Sequence, residues 1–288
     1  MSLFAQARRA FHDRLLGSIL NVAKSGVPSN ADSDNRASVQ IAGSIVAQLG
    51  TAERKRRHAA QTAGIEFEEA CAEFLATTFL ALGKLRPGNW LVGTPGKLFE
   101  NRTQKTIAGF DQFAHLAELE TLAKANAHLA AALGSDYLIK PDIVIARRPE
   151  PDNAINVGKR IVDGDVARHA PLRAANAASP ILHASISCKW TLRSDRAQNA
   201  RSEGLNLVKN RKGRVPHIAV VTAEPTPARI ASIALGTGEI DCVYHFALPE
   251  LEAALQALDF SDASLMLRTM IDGKRLRDIA DLPLDLAV

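Results

Sequence analysis

The chain has 288 residues, 47% of them hydrophobic and 23% charged, a composition that fits a folded globular protein and rules out a disordered or low-complexity one. Three cysteines (Cys71, Cys188, Cys242) are too few and too scattered for a disulfide framework or a sulfur-built zinc site. No apolar run reaches the length of a signal peptide or membrane span, so a reducing cytoplasm is the expected setting. The net charge of +4 is too small to define a partner, but its location is informative. Between Ser187 and Val215 lie Lys189, Arg193, Arg196, Arg201, Lys209, Arg211, Lys212 and Arg214 against only Asp195 and Glu203. That local surplus exceeds the surplus of the whole chain, so an anionic partner is expected at this segment.

In chain order, Phe4, Phe11, Leu15 and Ile19 recur at helical spacing and predict a first helix rather than a transit peptide. The polar, turn-rich stretch Gly26 to Arg36 separates it from an apolar segment, Val39 to Leu49. Glu53 to Leu82 reads as a long helix with Phe67, Cys71, Phe74 and Leu75 in register and Gly64 as its weak point. Leu85 to Gly96, with two prolines and three glycines, reads as a loop, and Asp111 to Leu133 as an Ala/Leu-rich helix.

Tyr137 to Ala146 changes to a strand-like pattern interrupted at Pro141, a place where a strand edge or bulge can re-aim Asp142. Arg147 to Pro180 is an irregular excursion. Leu182 to Trp190 is the next strand, with Ser187 and Lys189 on one face and Cys188 on the other. Ser194 is the expected N-cap of a helix from Asp195 to about Asn210, with Gly213 and Pro216 as stop signals. His217 to Thr222 and Ile240 to Phe246 are two further strands, with a short helix over Pro227 to Leu235 between them. A helix over Leu248 to Leu267 follows, and it and the helix from Asp111 are candidates for core or for a subunit interface. With neither repeats nor a boundary, one mixed α/β domain over residues 1–288 is expected.

The chemistry gathers in two places. Asp142 and Glu203 are hard oxygen ligands suited to a divalent ion, and Lys189 is a point charge suited to a phosphate. A carboxylate ending one strand and a lysine on its neighbour can flank one ion, because paired strands lie about 4.8 Å apart. On the helix that follows, Arg196 and Glu203 are separated by two turns, roughly 10.5 Å along the axis, and share a face. Arginine donates to guanine O6 and N7 and aspartate accepts from cytosine N4, so Arg193, Asp195 and Arg196 at a helix N-terminus suit G·C pairs in a major groove. A merely solvated helix end, placing acid for the dipole, would not explain two arginines there.

The pattern Pro141-Asp142, then Ser187-x-Lys189, then Glu203, with Arg193-Ser194-Asp195-Arg196 between, resembles the CCGG-recognising branch of the PD-(D/E)xK restriction endonucleases. The likeness is dense from Tyr137 to Gly213, and Gln61 to Glu69 resembles that family's helix with an active-site glutamate. Alignment to its Gly-x-x-Phe-Glu pattern selects Glu68, with Glu66 and Glu69 as alternatives. Ser187 stands where most of the wider family has an acid; in this branch the carboxylate moves to the next helix, the role assigned to Glu203.

The resemblance implies a restriction-endonuclease-like fold, a mixed central β-sheet flanked by helices. It implies Mg²⁺, two ions per site, bound by Asp142, the Cys188 main-chain carbonyl, Glu203 and Glu68, with Lys189 orienting or activating water. It further implies that Arg193, Asp195 and Arg196 read the inner CCGG, that Gln61 touches the minor groove, and that Arg229 and Asp32 meet the outer pair. The implied target is double-stranded GCCGGC, cut with 5′ overhangs by a homotetramer, a dimer of dimers; no membrane is involved. Two rivals stand beside this: a relative cutting another CCGG-containing sequence, and a DNA-binding protein without hydrolysis. A repair nuclease guided by structure is disfavoured, since it needs phosphate contacts more than base contacts. The run Arg54-Lys55-Arg56-Arg57-His58 reads as a solvated face or phosphate clamp, Phe67 and Trp190 as packing, and His183 and His217 as core or surface residues.

Overall fold

The computed structural model describes residues 1–50, 60–128, 131, 138–236 and 238–288, and the backbone alone at 60, 61, 194 and 196. The basic run at 54–58 and Tyr137 lie outside these residues. A six-stranded sheet runs through the centre in the order β1 (Trp90–Gly93), β2 (Ile143–Arg147), β3 (Ile181–Lys189), β4 (His217–Thr222), β5 (Cys242–His245), β6 (Leu276–Asp278). β1–β2 and β2–β3 pair antiparallel, whereas β3 through β6 run parallel, so the sheet is mixed. The parallel strands read as near-continuous apolar runs because helices cover both faces.

The longer helices are α1 (Leu3–Gly17), α2 (Arg36–Leu49), α3 (Ala60–Phe79), α4 (His115–Ala125), α5 (Ser194–Asn210), α6 (Pro227–Ala234), α7 (Leu248–Ala257) and α8 (Ser261–Asp272). Side chains cap the first two, Ser2 accepting from the Ala5 amide and Asn35 from the Ser38 amide, each satisfying a helix-end donor. Phe67, Cys71, Phe74 and Leu75 form the buried stripe of α3, as their spacing requires. Phe67 meets Trp190 edge-on at 5.2 Å between ring centroids, docking α3 on the end of β3. Burying such a ring contributes on the order of 1.5–3 kcal/mol.

Several sequence expectations need correction. The Pro/Gly stretch taken as a loop contains β1, an edge strand in which Gly93 takes a φ of 151°. Pro141 does not interrupt a strand: β2 begins at Ile143, and the sheet's irregularity lies at its other end, between Ile145 and Ala146. The segment from Asp111 is a 3₁₀ turn followed by α4, and Leu248 to Leu267 is two helices separated at Asp259, whose φ of 56° no helix continues. Gly64 sits inside an unbroken α3. The N-cap of α5 is Arg193, not Ser194. β6 carried no readable signal in its three residues.

α7 and α8 turn Leu251, Leu255, Leu267 and Met270 to the core, while Leu265 and Met266 on α8 and Leu122 on α4 are exposed. Among the described residues no helix is long and apolar enough to cross a membrane.

Gly204, in the middle of α5, packs closely against the backbone at Glu239. A Cβ there would stand 2.6 Å from the Glu239 carbonyl oxygen, a backbone atom that cannot swing aside. Gly204→Ala is therefore expected to lower stability by about 1–3 kcal/mol although alanine favours helix. Gly64→Ala, with nothing within 4 Å of the added carbon, should instead raise it by about 0.5–1 kcal/mol. Urea denaturation midpoints of the two variants check the opposite signs.

Candidate active site

The antiparallel register pairs Ile143 with Ile186, and one residue further along sets Asp142 across from Ser187. Cys188 donates its backbone amide to Asp142 Oδ2 at 2.7 Å. Ser187 Oγ donates to the same oxygen at 3.3 Å and lies 3.1 Å from Glu203 Oε2 on α5; Lys189 Nζ donates to Asp142 Oδ2 at 3.3 Å. A chain of contacts thus runs Glu203–Ser187–Asp142–Lys189 across three elements. Strand alternation explains it: Ser187 and Lys189 share one face of β3, while the Cys188 thiol turns to the other, is buried, and contacts Cys71 of α3. Glu203 reaches the cluster from α5, whose start is set by the turn immediately after Lys189.

Glu68 completes the group from α3. Its carboxyl is pushed up to about 7, first by burial and then by the Asp142 carboxylate, against the pull of Lys189. Glu69 is engaged elsewhere, 2.8 Å from Lys97 and 3.5 Å from Arg14. Glu66 projects about 200° around the helix from Glu68. Helix geometry and ion pairing, neither visible in a short motif, set Glu68 within the field of Asp142 and Lys189 and engage Glu69 with Lys97 and Arg14. Burial and Asp142 likewise raise the Glu203 carboxyl, opposed by Lys189 and the Ser187 hydroxyl. Burial works against the Lys189 ammonium, but Asp142 and Glu203 outweigh it and its pKa is raised.

The donor set fits a hard divalent cation. Asp142 Oδ1 and Glu203 Oε1 accept no hydrogen bond from any described residue, which leaves two hard carboxylate oxygens open to a divalent cation. Among the described residues no three His, Cys, Asp or Glu side chains yet close into a cage, so Glu203 and Glu68 would reach an ion by a change of rotamer or through water.

Two grooves flank α5. One, of about 550 Å³, is lined by Asp32, Leu192, Arg193, Ala197, Gln198, Arg201, Ala228, Arg229 and Ser232; the other, of about 620 Å³, by Glu203 with Lys140, Asn199, Ser202 and their neighbours. Positions 193, 197 and 201 lie on one side of the helix and 199, 202, 203 and 206 on the other, so one rod separates the two grooves. In the first groove Arg229 is ion-paired with Asp32, and that hydrogen bond is the main cause holding the Asp32 carboxyl below its usual range, with Arg193 adding to it. Arg193 and Asp195 are exposed at the start of α5. The side chains of Arg196 and Gln61 lie outside the described residues. His183 and His217 meet edge to face, 5.0 Å between ring centroids, where β3 and β4 begin, at the far end of the sheet from Asp142, and His183 Nε2 lies 2.7 Å from the Leu286 carbonyl oxygen.

Sequence reasoning overlooked Glu224. It is fully buried, its Oε2 accepts from the Leu192 amide at 2.9 Å, and its Oε1 accepts from the Thr226 amide at 3.1 Å. An acid directly after an apolar strand and before Pro225-Thr226-Pro227 was the available signal.

A model of the NgoMIV restriction enzyme family matches residues 11–288. The chain is also 56% identical over 287 residues to the type II restriction enzyme NgoMIV of Neisseria gonorrhoeae, an alignment covering 99% of each chain.

The raised carboxyls carry a pH dependence whose sign is fixed. Glu68 titrates near 4.5 when solvated and near 7 in the folded chain, so below the first value it contributes nothing to stability. As pH rises through the interval the unfolded chain ionises it first, and the folded state is progressively disfavoured. Without divalent ions the melting temperature is therefore expected to fall between pH 5 and pH 8 on the order of a few degrees, less steeply in Glu68→Gln. Millimolar Mg²⁺ at pH 8 should restore it. A melting temperature indifferent to pH and Mg²⁺ would contradict this electrostatic picture.

Proposed function

Because this chain belongs to the NgoMIV restriction enzyme family, we propose that it is a type II site-specific deoxyribonuclease that cleaves double-stranded GCCGGC in a divalent-ion-dependent reaction, Mg²⁺ being the ion. The observation that carries the reading is the contact chain Glu203–Ser187–Asp142–Lys189 lying beside an arginine-lined groove on the same helix.

Asp142, Glu203, Glu68 and the Cys188 carbonyl would hold the ions. In a strand the amide and carbonyl of one residue point to the same neighbour, and the Cys188 amide already points at Asp142. Held there, a divalent cation would supply a lowered pKa for bound water and charge neutralisation at the phosphate and the leaving oxygen. Lys189 remains an ammonium at neutral pH, so it orients the attacking water and offsets phosphate charge rather than removing a proton. Ser187, a neutral residue between Asp142 and Glu203, spaces the two carboxylates with one hydroxyl and adds no further charge.

Target reading falls to the start of α5, with the groove that Arg193 lines together with Arg229 and Asp32. Arg193, Asp195 and Arg196 lie at or near the N-terminus of a helix, the end that enters a major groove in many readers, and supply guanidinium donors for G with a carboxylate acceptor for C. Arg229 and Asp32, ion-paired, present one fork of donors beside one acceptor, the complement of a single G·C pair and hence of the outer pair of the site. Gln61 would contribute from the minor groove. A palindromic target suits a two-fold assembly in which each subunit cuts one strand, and a dimer of dimers engaging two sites and leaving 5′ overhangs is the assembly proposed.

Lys189→Ala is expected to cut at least about 100-fold more slowly while binding GCCGGC duplex as tightly as the parent. Normal cutting by that variant would remove Lys189 from the chemistry. Digestion of plasmids carrying zero, one or two GCCGGC sites, with Mg²⁺ and then with a chelator, tests target, ion and assembly together. Cutting is expected only with a site and Mg²⁺, and faster on two sites than on one. Rates that ignore site number would refute the tetramer, and binding without cutting under any divalent ion would refute hydrolysis.

A further inference from the structure

Glu224 lies just after β4, is 0% exposed, and lines neither groove itself. What it touches is the backbone that carries the readers. Its Oε2 accepts from the amide of Leu192, the residue before Arg193, and its Oε1 accepts from the amide of Thr226, the N-cap of α6 on which Arg229 sits. Arg229 Nη1 stands 3.8 Å from Oε2 while Nη2 is on Asp32. The preceding residue joins the third segment: the Ala223 carbonyl accepts from Asn30 Nδ2 at 2.9 Å, and Asn30 is itself 1% exposed, two residues before Asp32. One turn therefore ties together the three stretches of chain bearing Arg193, Arg229 and Asp32. A fully buried carboxylate is costly, and purely structural tethering of two amides needs only neutral acceptors; the negative charge is what reaches Arg229.

We propose that Glu224 is a positioning residue for target specificity, a buried anchor that fixes Arg229 and Asp32 relative to the start of α5 so that the outer base pair is read in register with the inner four. This rests on the reading of Arg193, Arg229 and Asp32 as base contacts. Substitution by glutamine separates the roles. Its one acceptor oxygen can stay on the Leu192 amide, preserving the Arg193 side, but its NH₂ then faces the Thr226 amide and the charge beside Arg229 is gone. Loosening is thus directed at the outer pair.

The test measures equilibrium binding and Mg²⁺-dependent cleavage of three duplexes by the parent and by Glu224→Gln: GCCGGC, ACCGGT with the outer pair changed, and GACGTC with an inner pair changed. In the variant, discrimination against ACCGGT is expected to fall at least tenfold. Discrimination against GACGTC and turnover on GCCGGC at saturating DNA should stay within threefold of the parent. In an Arg229→Ala background, Glu224→Gln should change outer-pair discrimination no further. Equal weakening on all three duplexes would reduce Glu224 to a fold-stabilising residue, and unchanged discrimination would give it no part in reading; either overturns the proposal. If the parent itself fails to prefer GCCGGC, the functional reading falls first and the proposal with it. Should the buried amide prevent folding, Asn30→Ala, which cuts the other tether of the same turn, is judged by the same three duplexes.

Discussion

The acceptance of the Cys188 backbone amide by Asp142 Oδ2, at 2.7 Å, is the contact on which the candidate active site depends. That amide belongs to the central strand of the sheet, held on one side by β2 and on the other by β4, so it cannot drift. A carboxylate anchored to it is placed by the sheet and not by its own flexible side chain. Once Asp142 is pinned, strand alternation brings Ser187 and Lys189 to the same point and sends Cys188 away from it. Rigid elements position reacting groups more closely than loops do, and here the whole sequence from Ser187 to Lys189 is strand.

Three carboxylates and one ammonium meet in a half-buried space. Burial above all, with repulsion from Asp142 added, raises the carboxyls of Glu68 and Glu203 against the pull of the single lysine. Burial that would be a defect in a purely structural site is what would give a divalent cation affinity for the proposed one. The arrangement sacrifices stability near neutral pH for a local field of the right sign, a common bargain where function and folding compete. The packing around it is correspondingly firm: Phe67 against Trp190 and Cys71 against Cys188 lock α3 to β3 on the far side.

α5 joins this field to the reading surface. Its first residues follow Lys189 by only a few positions. A groove lies on each side, one with Glu203 and the other with Arg193, Arg229 and Asp32. Gly204 lets the rod press against the Glu239 backbone, and Glu224 fastens its leading turn to β4 and α6. In the proposed function, cutting and reading would be coupled through this covalent continuity and these two close contacts.

Much of this was legible along the chain. The switch from helical to alternating patterns located β3, β4 and β5, and the apolar stripe of α3 gave its core face. Residue chemistry in order, Asp142, Ser187, Lys189, Arg193, Glu203, marked residues that the fold brings to one candidate site and to the helix beside it. What remained illegible was short or cooperative. β1 and β6 are too brief for periodicity to register, and they are strands because a sheet edge was available to pair with. The split between α7 and α8 depends on one residue, Asp259, taking a conformation that composition does not announce.

The amino-acid sequence by itself determined which groups could do chemistry and roughly which element carries each, since side-chain type and period are local properties. Only the tertiary structure decided which of the neighbouring glutamates on α3 faces Asp142, that Arg229 and Asp32 meet, and that Glu224 is buried beneath them. Those outcomes turn on contacts between residues as far apart as Asp32 and Arg229, and a long-range contact is a property of the packed whole, where burial and charge are shared among elements that no single segment specifies.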